Sequence, residues 1–312
     1  MIEVTRKQAF VAGLPLPARR RVLRASWRAR RILPGTLQGS GRMGIDTVLE
    51  RTLRVSRADS LRLDAEAVFS DNLVELEWLA LLNRSHDDIR DDLRHVRIPD
   101  QGLIERVAAS GRPVILAPLH MGCFALPFAG LIHAVFRGRR MLILRAREDH
   151  AIDTQVMQRI NEAGVEMRFL NVRHKQDFID AIRFARSGSV IVSFLDLPAS
   201  YGVAADTTLF GRPARLAMGI DGLARLTEGT VLPLCVTSDV QGDTVHVGQP
   251  FEVADNSVET KRRVTEDVRR HIEASVLRAP QQWYMWPRLD EFLSDAPDPV
   301  HDRSAGESGA AA

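Results

Sequence analysis

Gly111-Arg-Pro-Val-Ile-Leu-Ala-Pro-Leu-His-Met-Gly-Cys-Phe-Ala-Leu-Pro127 carries an apolar run straight into a histidine and a glycine-containing turn, after which a second apolar run begins. Val114, Ile115 and Leu116 form a short aliphatic, β-branched run between Gly111-Arg112-Pro113 and Met121-Gly122, the pattern of an interior parallel strand. That reading sets His120 at the carboxyl end of a buried strand. Ligands of open α/β sheets sit just outside such ends, so a titratable group delivered there is well placed to act on one. An uncharged imidazole in that position can take a proton from a hydroxyl. A histidine beside an apolar run is also a common core residue, so the other blocks of the chain matter.

Working outward, the same alternation recurs. Strands are expected at about 113–119, 140–145, 166–170, 190–195 and 231–236, with helical patterns around 123–136, 151–163, 175–187 and 215–228. Alternation at that spacing implies right-handed crossovers and an α/β fold with a mostly parallel central sheet flanked by helices. Val236 and Val245, joined through Asp239 to Asp243, suggest an edge hairpin, and Val258 to Leu277 a long final helix. Upstream, Ala58 to about His95 reads as amphipathic helices with Phe69, Leu73, Leu76, Leu79 and Leu82 on the apolar side, ending at the Pro99 to Gly102 break. From Ser294 the chain has no apolar period, and disorder is expected. The expected organisation is a basic amphipathic segment over 1–57, an α/β domain over 58–293 and a tail over 294–312.

The order of blocks resembles the bacterial lipid A biosynthesis (late) acyltransferase family, a branch of the glycerolipid acyltransferases. GRPVILAPLHMGCFALP is similar to the family's strand and His-x4-acid turn, and MLILRAREDHAIDTQVMQRINEAGVEM to its Arg-bearing strand and helix. SVIVSFLDLPAS resembles the strand ending in an acid, LFGRPARLAMGIDGLARLTEGTVLPLCV the Phe-Gly-Arg-Pro turn, helix and strand, and APQQWYMWPRL the closing aromatic segment. Together they span about Val96 to Leu289. The resemblance implies a glycerolipid acyltransferase-like fold and transfer of a fatty acyl group from an acyl carrier protein or coenzyme A thioester to a hydroxyl of a lipid or glycolipid acceptor. No cofactor and no metal are implied.

It also assigns roles. His120 is the expected general base, with Arg159 and Asp196 as further catalytic residues. Arg212, Gly211, Arg145 and Gly122 are the expected substrate-binding positions. A guanidinium suits an anionic headgroup because its planar fork binds phosphate or carboxylate in bidentate fashion and stays charged. Arg159 is preferred to Arg145 because its distance before Asp196 better suits the family pattern. The chain departs from that pattern at one place: the acid five residues after the histidine, which orients the imidazole, is replaced by Ala125. Three readings follow. Another carboxylate substitutes, with Asp196 the best candidate because it ends a neighbouring apolar strand; the enzyme is slow; or catalysis is lost and the chain is a lipid- or carrier-binding module.

Composition agrees with one large core: 312 residues, 45% hydrophobic, net charge +2. The two cysteines, Cys123 and Cys235, lie in apolar surroundings without metal-ligand spacing or a disulfide framework, which points to a reducing compartment. The small net charge hides an asymmetry. From Arg6 to Arg42 the cations are crowded and interleaved with Phe10, Leu14, Val22, Leu23 and Trp27, with Glu3 the only acid up to Ile45. Such a pattern suits an interfacial helix on an anionic leaflet, each cation contributing about 1 kcal/mol near the surface. A helix packed on the core is the alternative. No nucleic-acid-binding motif, G-x-G-x-x-G or phosphate-binding P-loop sequence is present, so nucleic acid is not an expected partner and a nucleotide-binding module is disfavoured. No run approaches the ~20 apolar residues of a bilayer span and no cleavable signal pattern starts the chain. The expected location is cytoplasmic, peripheral on the inner face of a bacterial inner membrane.

Overall fold

The computed structural model of the protein describes residues 5–32, 41–145, 155, 167–171, 175–186 and 188–294. The strands are β1 (Val96–Arg97), β2 (Val114–Pro118), β3 (Met141–Arg145), β4 (Met167–Asn171), β5 (Val190–Val192), β6 (Ala204–Leu209), β7 (Arg212–Ala217), β8 (Thr230–Ser238) and β9 (Asp243–Val247). Seven of them form one sheet in the order β1-β9-β8-β2-β5-β3-β4. Every pairing in it is parallel except β8 with β9, the hairpin expected at the sheet's edge; β1 then adds outside β9.

The central strands are buried on both faces. Val114 and Leu116 of β2 join one apolar cluster, Ile115 and Ala117 the other, so the period-two alternation of a strand feeds two cores. On the first face lie α6 (Gln101–Ala109) and α7 (Ala125–Val135), through Ile104, Leu126, Leu131 and Ile132. On the second lie α8 (Lys175–Arg186), α9 (Gly219–Thr227) and α10 (Val258–Arg278), through Ala181, Leu223, Val264, Val268 and Ile272. Phe69, Leu73, Leu76 and Leu79 are all buried on α4 (Arg57–Asn83), whose first turn is capped by Ser56 accepting from the Asp59 N–H. α5 (His86–Asp92) follows it. The helical pattern at 151–163 and the tail from residue 295 lie outside the described residues.

One expectation is corrected. The helical pattern around 215–228 begins only at Gly219, because 204–217 is an antiparallel hairpin of β6 and β7. Phe210 (φ 52) and Gly211 (φ 77) are both in the left-handed region, as the type I′ form of a two-residue hairpin turn requires. On β7, Ala214 and Leu216 are buried while Pro213 and Arg215 are exposed, a period of two that ends where the helix starts.

The basic segment divides into α1 (Arg6–Ala12), α2 (Leu16–Ile32) and α3 (Asp46–Leu53). Leu16, Trp27 and Leu49 are buried, Trp27 edge-on to Phe69 at 5.7 Å, so these helices share the core that the expected boundary at 57 would separate. Two of the cations read as surface charge are interior. Arg19 is 1% exposed and clasps Glu77 through Nε and Nη2 (3.0 and 2.6 Å) while Nη1 reaches Asp92 at 2.7 Å. Arg20 is fully buried, bonded to Glu77 at 2.9 Å and bidentate to Asp243 at 3.0 and 2.8 Å. With Arg84 on Asp92 at 3.0 Å, three guanidiniums face three carboxylates. Burial pushes the Glu77 carboxyl up, but Arg20 and Arg19 outweigh it and hold the group below the usual range. The remaining face of α2 presents Arg21, Arg28, Arg30 and Arg31 to solvent.

His271 on α10 is packed against Gly248 with its Nε2 enclosed, and burial brings its imidazole down to about 4, despite a hydrogen bond with the Leu234 backbone and the charge of Asp196. The unfolded chain binds a proton near 6.5 that the folded state refuses until about 4. Stability is therefore expected to fall as pH drops through that window and to be unaffected by this group above it. The loss is at most about 3 kcal/mol. Denaturant midpoints at pH 7 and 4.5 for wild type and His271→Phe check this: the variant's pH dependence should be the shallower.

Candidate active site

β2 and β5 pair in parallel, Val114 against Val190 and Leu116 against Val192. The ladder runs past the strands, with Ser193 N–H donating to the Leu116 carbonyl and Leu195 N–H to that of Pro118, both at 3.0 Å. The same offset of 76 residues carries on to His120 and Asp196. Two neighbouring strand ends thus bring this pair together at the sheet's carboxyl edge. His120 Nδ1 lies 2.9 Å from Asp196 Oδ1, and the His120 backbone N–H donates to Oδ2 at 2.8 Å. Asp196 is fully buried and the His120 side chain is 27% exposed. An ionised carboxylate only accepts, so Nδ1 carries the proton and Nε2 of the neutral ring keeps its lone pair.

The acid is itself held. Trp283, 2% exposed, donates its indole N–H to Asp196 Oδ2 at 2.9 Å. Trp283 lies in an aromatic cluster, edge-on to Trp286 at 4.9 Å and to Phe210 at 5.9 Å. The imidazole is flanked too: Phe194 stacks on it with centroids 4.0 Å apart, and Phe124 meets Phe194 at 5.6 Å. A ring pinned by a stack and a buried carboxylate has little rotational freedom, which suits a base that must face one direction.

The loop after His120 is clamped from the chain's far end. Tyr284 N–H donates to the His120 carbonyl at 2.9 Å and the Tyr284 hydroxyl to that of Gly122 at 2.7 Å. Gly122 N–H donates to the Gln282 carbonyl, and Cys123 N–H to Ser238 Oγ at 2.8 Å. Gly122 has φ +65, and a Cβ there would sit 2.4 Å from the Val236 carbonyl oxygen, so no side chain fits the position. Cys123 lies three residues from His120, yet burial pushes its thiol well up, so it supplies no thiolate nucleophile.

The expected site residues fall into three groups. His120, Asp196 and Gly122 are in one cluster. Gly211 and Arg212 are on the β6-β7 hairpin, Arg212 half-buried and opposite Leu209; the hairpin reaches the cluster through Phe210, stacked on Trp286 at 5.6 Å. Arg145 ends β3, and continuing the β3-β5 register from Ile143 against Val192 sets its backbone level with Phe194 at the same edge. Arg159 lies outside the described residues. Ala125, where the resemblance expects the acid, is 3% exposed and opens α7 inside an apolar cluster with Leu116 and Leu126. Trp283, Tyr284, Gln282 and Phe194 were not singled out from the sequence. The closing aromatic block was recognised as a block, but its hydrogen bonds reach back 87 residues to Asp196 and 162 to Gly122, and no local pattern encodes that.

Among the described residues no group of three or more His, Cys, Asp or Glu side chains is placed to hold a metal ion. Comparison with curated proteins finds no match. A family model described as bacterial lipid A biosynthesis acyltransferase matches residues 69–289, from the middle of α4 to the aromatic segment that holds Asp196. With more than two thirds of its length matched, and the fold and strand-end site inside that stretch, the chain belongs to the bacterial lipid A biosynthesis acyltransferase family.

Proposed function

We propose that the protein is an O-acyltransferase that moves a fatty acyl group from an acyl carrier protein or coenzyme A thioester to a hydroxyl of a lipid or glycolipid acceptor, with His120 as general base. The observation that carries this reading is the His120–Asp196 pair at the sheet's carboxyl edge. His120 Nε2 takes the acceptor's hydroxyl proton as the oxygen attacks the thioester carbonyl carbon. The C–S bond then breaks, and the imidazolium returns the proton to the departing sulfur. Asp196 keeps Nδ1 protonated and steadies the imidazolium throughout. α7 begins five residues after His120 with no side-chain cap, and since Pro127 in its first turn has no N–H, the Ala125 and Leu126 N–H groups are the donors it offers a developing oxyanion. Arg212, Arg145 and Arg159 are the candidate anchors for an anionic headgroup.

Peripheral attachment to the inner face of the inner membrane is supported by the solvent-facing arginines of α2 and by Phe10, 71% exposed on α1 beside the exposed Lys7. No helix among the described residues is long and apolar enough to cross a membrane. Mass spectrometry of lipids from cells with and without the gene tests the reading: the expected result is loss of one acyl group from one lipid class, and an unchanged lipid profile counts against it.

Because Asp196 already occupies the Nδ1 side of His120, Ala125→Glu is expected to bring no rise in transfer rate. The new carboxylate would enter an apolar cluster instead of meeting an unpartnered imidazole. Initial rates of the two proteins decide this; a large gain in the variant would mean that the native pair is poorly oriented.

A further inference from the structure

Behind the His120 loop, on the face covered by α2, lies a cleft of about 610 Å³ walled by Arg21, Arg24 and Arg28 of α2 and by α4, and floored by the end of β8 and Gln281-Gln282. Positions 21, 24, 25 and 28 recur at helical spacing, so one stripe of α2 faces the opening. Its two carboxylates are already engaged, one within the wall and one outside it. Glu66 binds Arg24 at 2.7 Å, and Arg24 is further committed over the Phe69 ring at 3.8 Å. Asp239 caps its own turn through the N–H groups of Gln241 and Gly242 and pairs outward with Arg97 at 3.5 Å. Arg21 and Arg28, exposed and two turns apart, have no carboxylate within ion-pair distance among the described residues; the contact of Arg21 is the neutral Gln241 amide at 3.0 Å. The half-buried Gln281 adds an amide N–H₂ from the floor.

We infer that this cleft binds a phosphate monoester or diester between the Arg21 and Arg28 guanidiniums. Two uncompensated planar forks on one wall match the bidentate demand of phosphate oxygens, and the volume exceeds that of a phosphate alone, so the ester's organic part has room. The site is distinct from the His120–Asp196 pair and does not depend on the acyltransferase reading, since its readout is binding and not turnover. The phosphate can arrive on a free metabolite or on a lipid headgroup.

Phosphorus NMR titration of inorganic phosphate and glycerol 3-phosphate, and co-sedimentation with phosphatidylglycerol against phosphatidylcholine vesicles, are measured on the full chain. The variants are the pair Arg21→Gln/Arg28→Gln and, as a charge-matched control outside the cleft, Arg6→Gln/Arg30→Gln. All four side chains are exposed, so both pairs should keep the wild-type unfolding midpoint. The expected result is an affinity loss of about tenfold or more in the cleft pair, with the control unchanged toward soluble phosphates and weakened clearly less than the cleft pair toward phosphatidylglycerol vesicles, to which the other exposed cations of α1 and α2 also contribute. Loss confined to soluble phosphates identifies a free ligand, and loss confined to phosphatidylglycerol vesicles a headgroup. Equal losses in both pairs would overturn the inference in favour of diffuse attraction to an anionic membrane or an acidic protein, and so would a cleft pair that binds like wild type.

Discussion

Asp196→Asn is expected to lower acyl transfer by about three to four orders of magnitude while leaving the fold intact, by analogy with removal of the orienting acid from a hydrolase triad. The substitution keeps the shape of a fully buried side chain and its bonds from the His120 backbone N–H and Trp283. It changes what faces Nδ1. An amide N–H₂ turned toward the imidazole favours the tautomer with Nδ1 unprotonated, which puts the proton on Nε2 and removes the base. The opposite orientation would set the amide N–H₂ against the His120 and Trp283 N–H donors, so the N–H₂ is the group that faces Nδ1. Steady-state rates with a fixed acyl donor, alongside denaturant midpoints, separate this from misfolding: kcat should collapse with the midpoint little changed. Near-wild-type kcat in Asp196→Asn would mean that the carboxylate is structural.

The second large effect concerns stability. Glu77→Ala removes the carboxylate shared by Arg19 and Arg20 and leaves two buried guanidiniums facing only Asp92 and Asp243. Loss of one partner from a buried ionic cluster is expected to cost about 3–5 kcal/mol, because the remaining charge cannot regain its hydration. The damage should be local first. α2 is held to α4 and β9 through these two arginines, so the variant should be cut by protease within α2 under conditions that leave the wild type whole. Chemical denaturation gives the magnitude; a midpoint equal to wild type would show that water or a neighbouring acid replaces Glu77.

These residues also mark what can be read from the chain alone. The interior strand before His120 was legible because the Val-Ile-Leu run is bounded on both sides by turn residues, and Asp196 because it ends a similar run. Once β2 and β5 are neighbours, the shared register does the rest. The buried arginines were not legible. Arg19, Arg20 and Arg21 are consecutive and chemically alike; what separates them is Glu77, 58 residues from Arg19, and Asp243, 223 residues from Arg20. Of the hairpin at 204–217 only the Phe210-Gly211-Arg212-Pro213 turn is legible, because the apolar residues at the end of β7 run on into those of α9 as one helix-like pattern from about 215. Ala125 looked like a gap in the site. It is a core residue, and the carboxylate beside His120 Nδ1 lies at the end of the neighbouring strand.

The central claim is that the His120 imidazole, held by Asp196, activates an acceptor hydroxyl. Its most direct test is single-turnover transfer from a radiolabelled acyl carrier protein or coenzyme A thioester to extracted bacterial lipids by wild type and His120→Ala. Labelled lipid with the wild type and loss of at least about a thousandfold with the variant is the expected result. Equal labelling by the two proteins would contradict it.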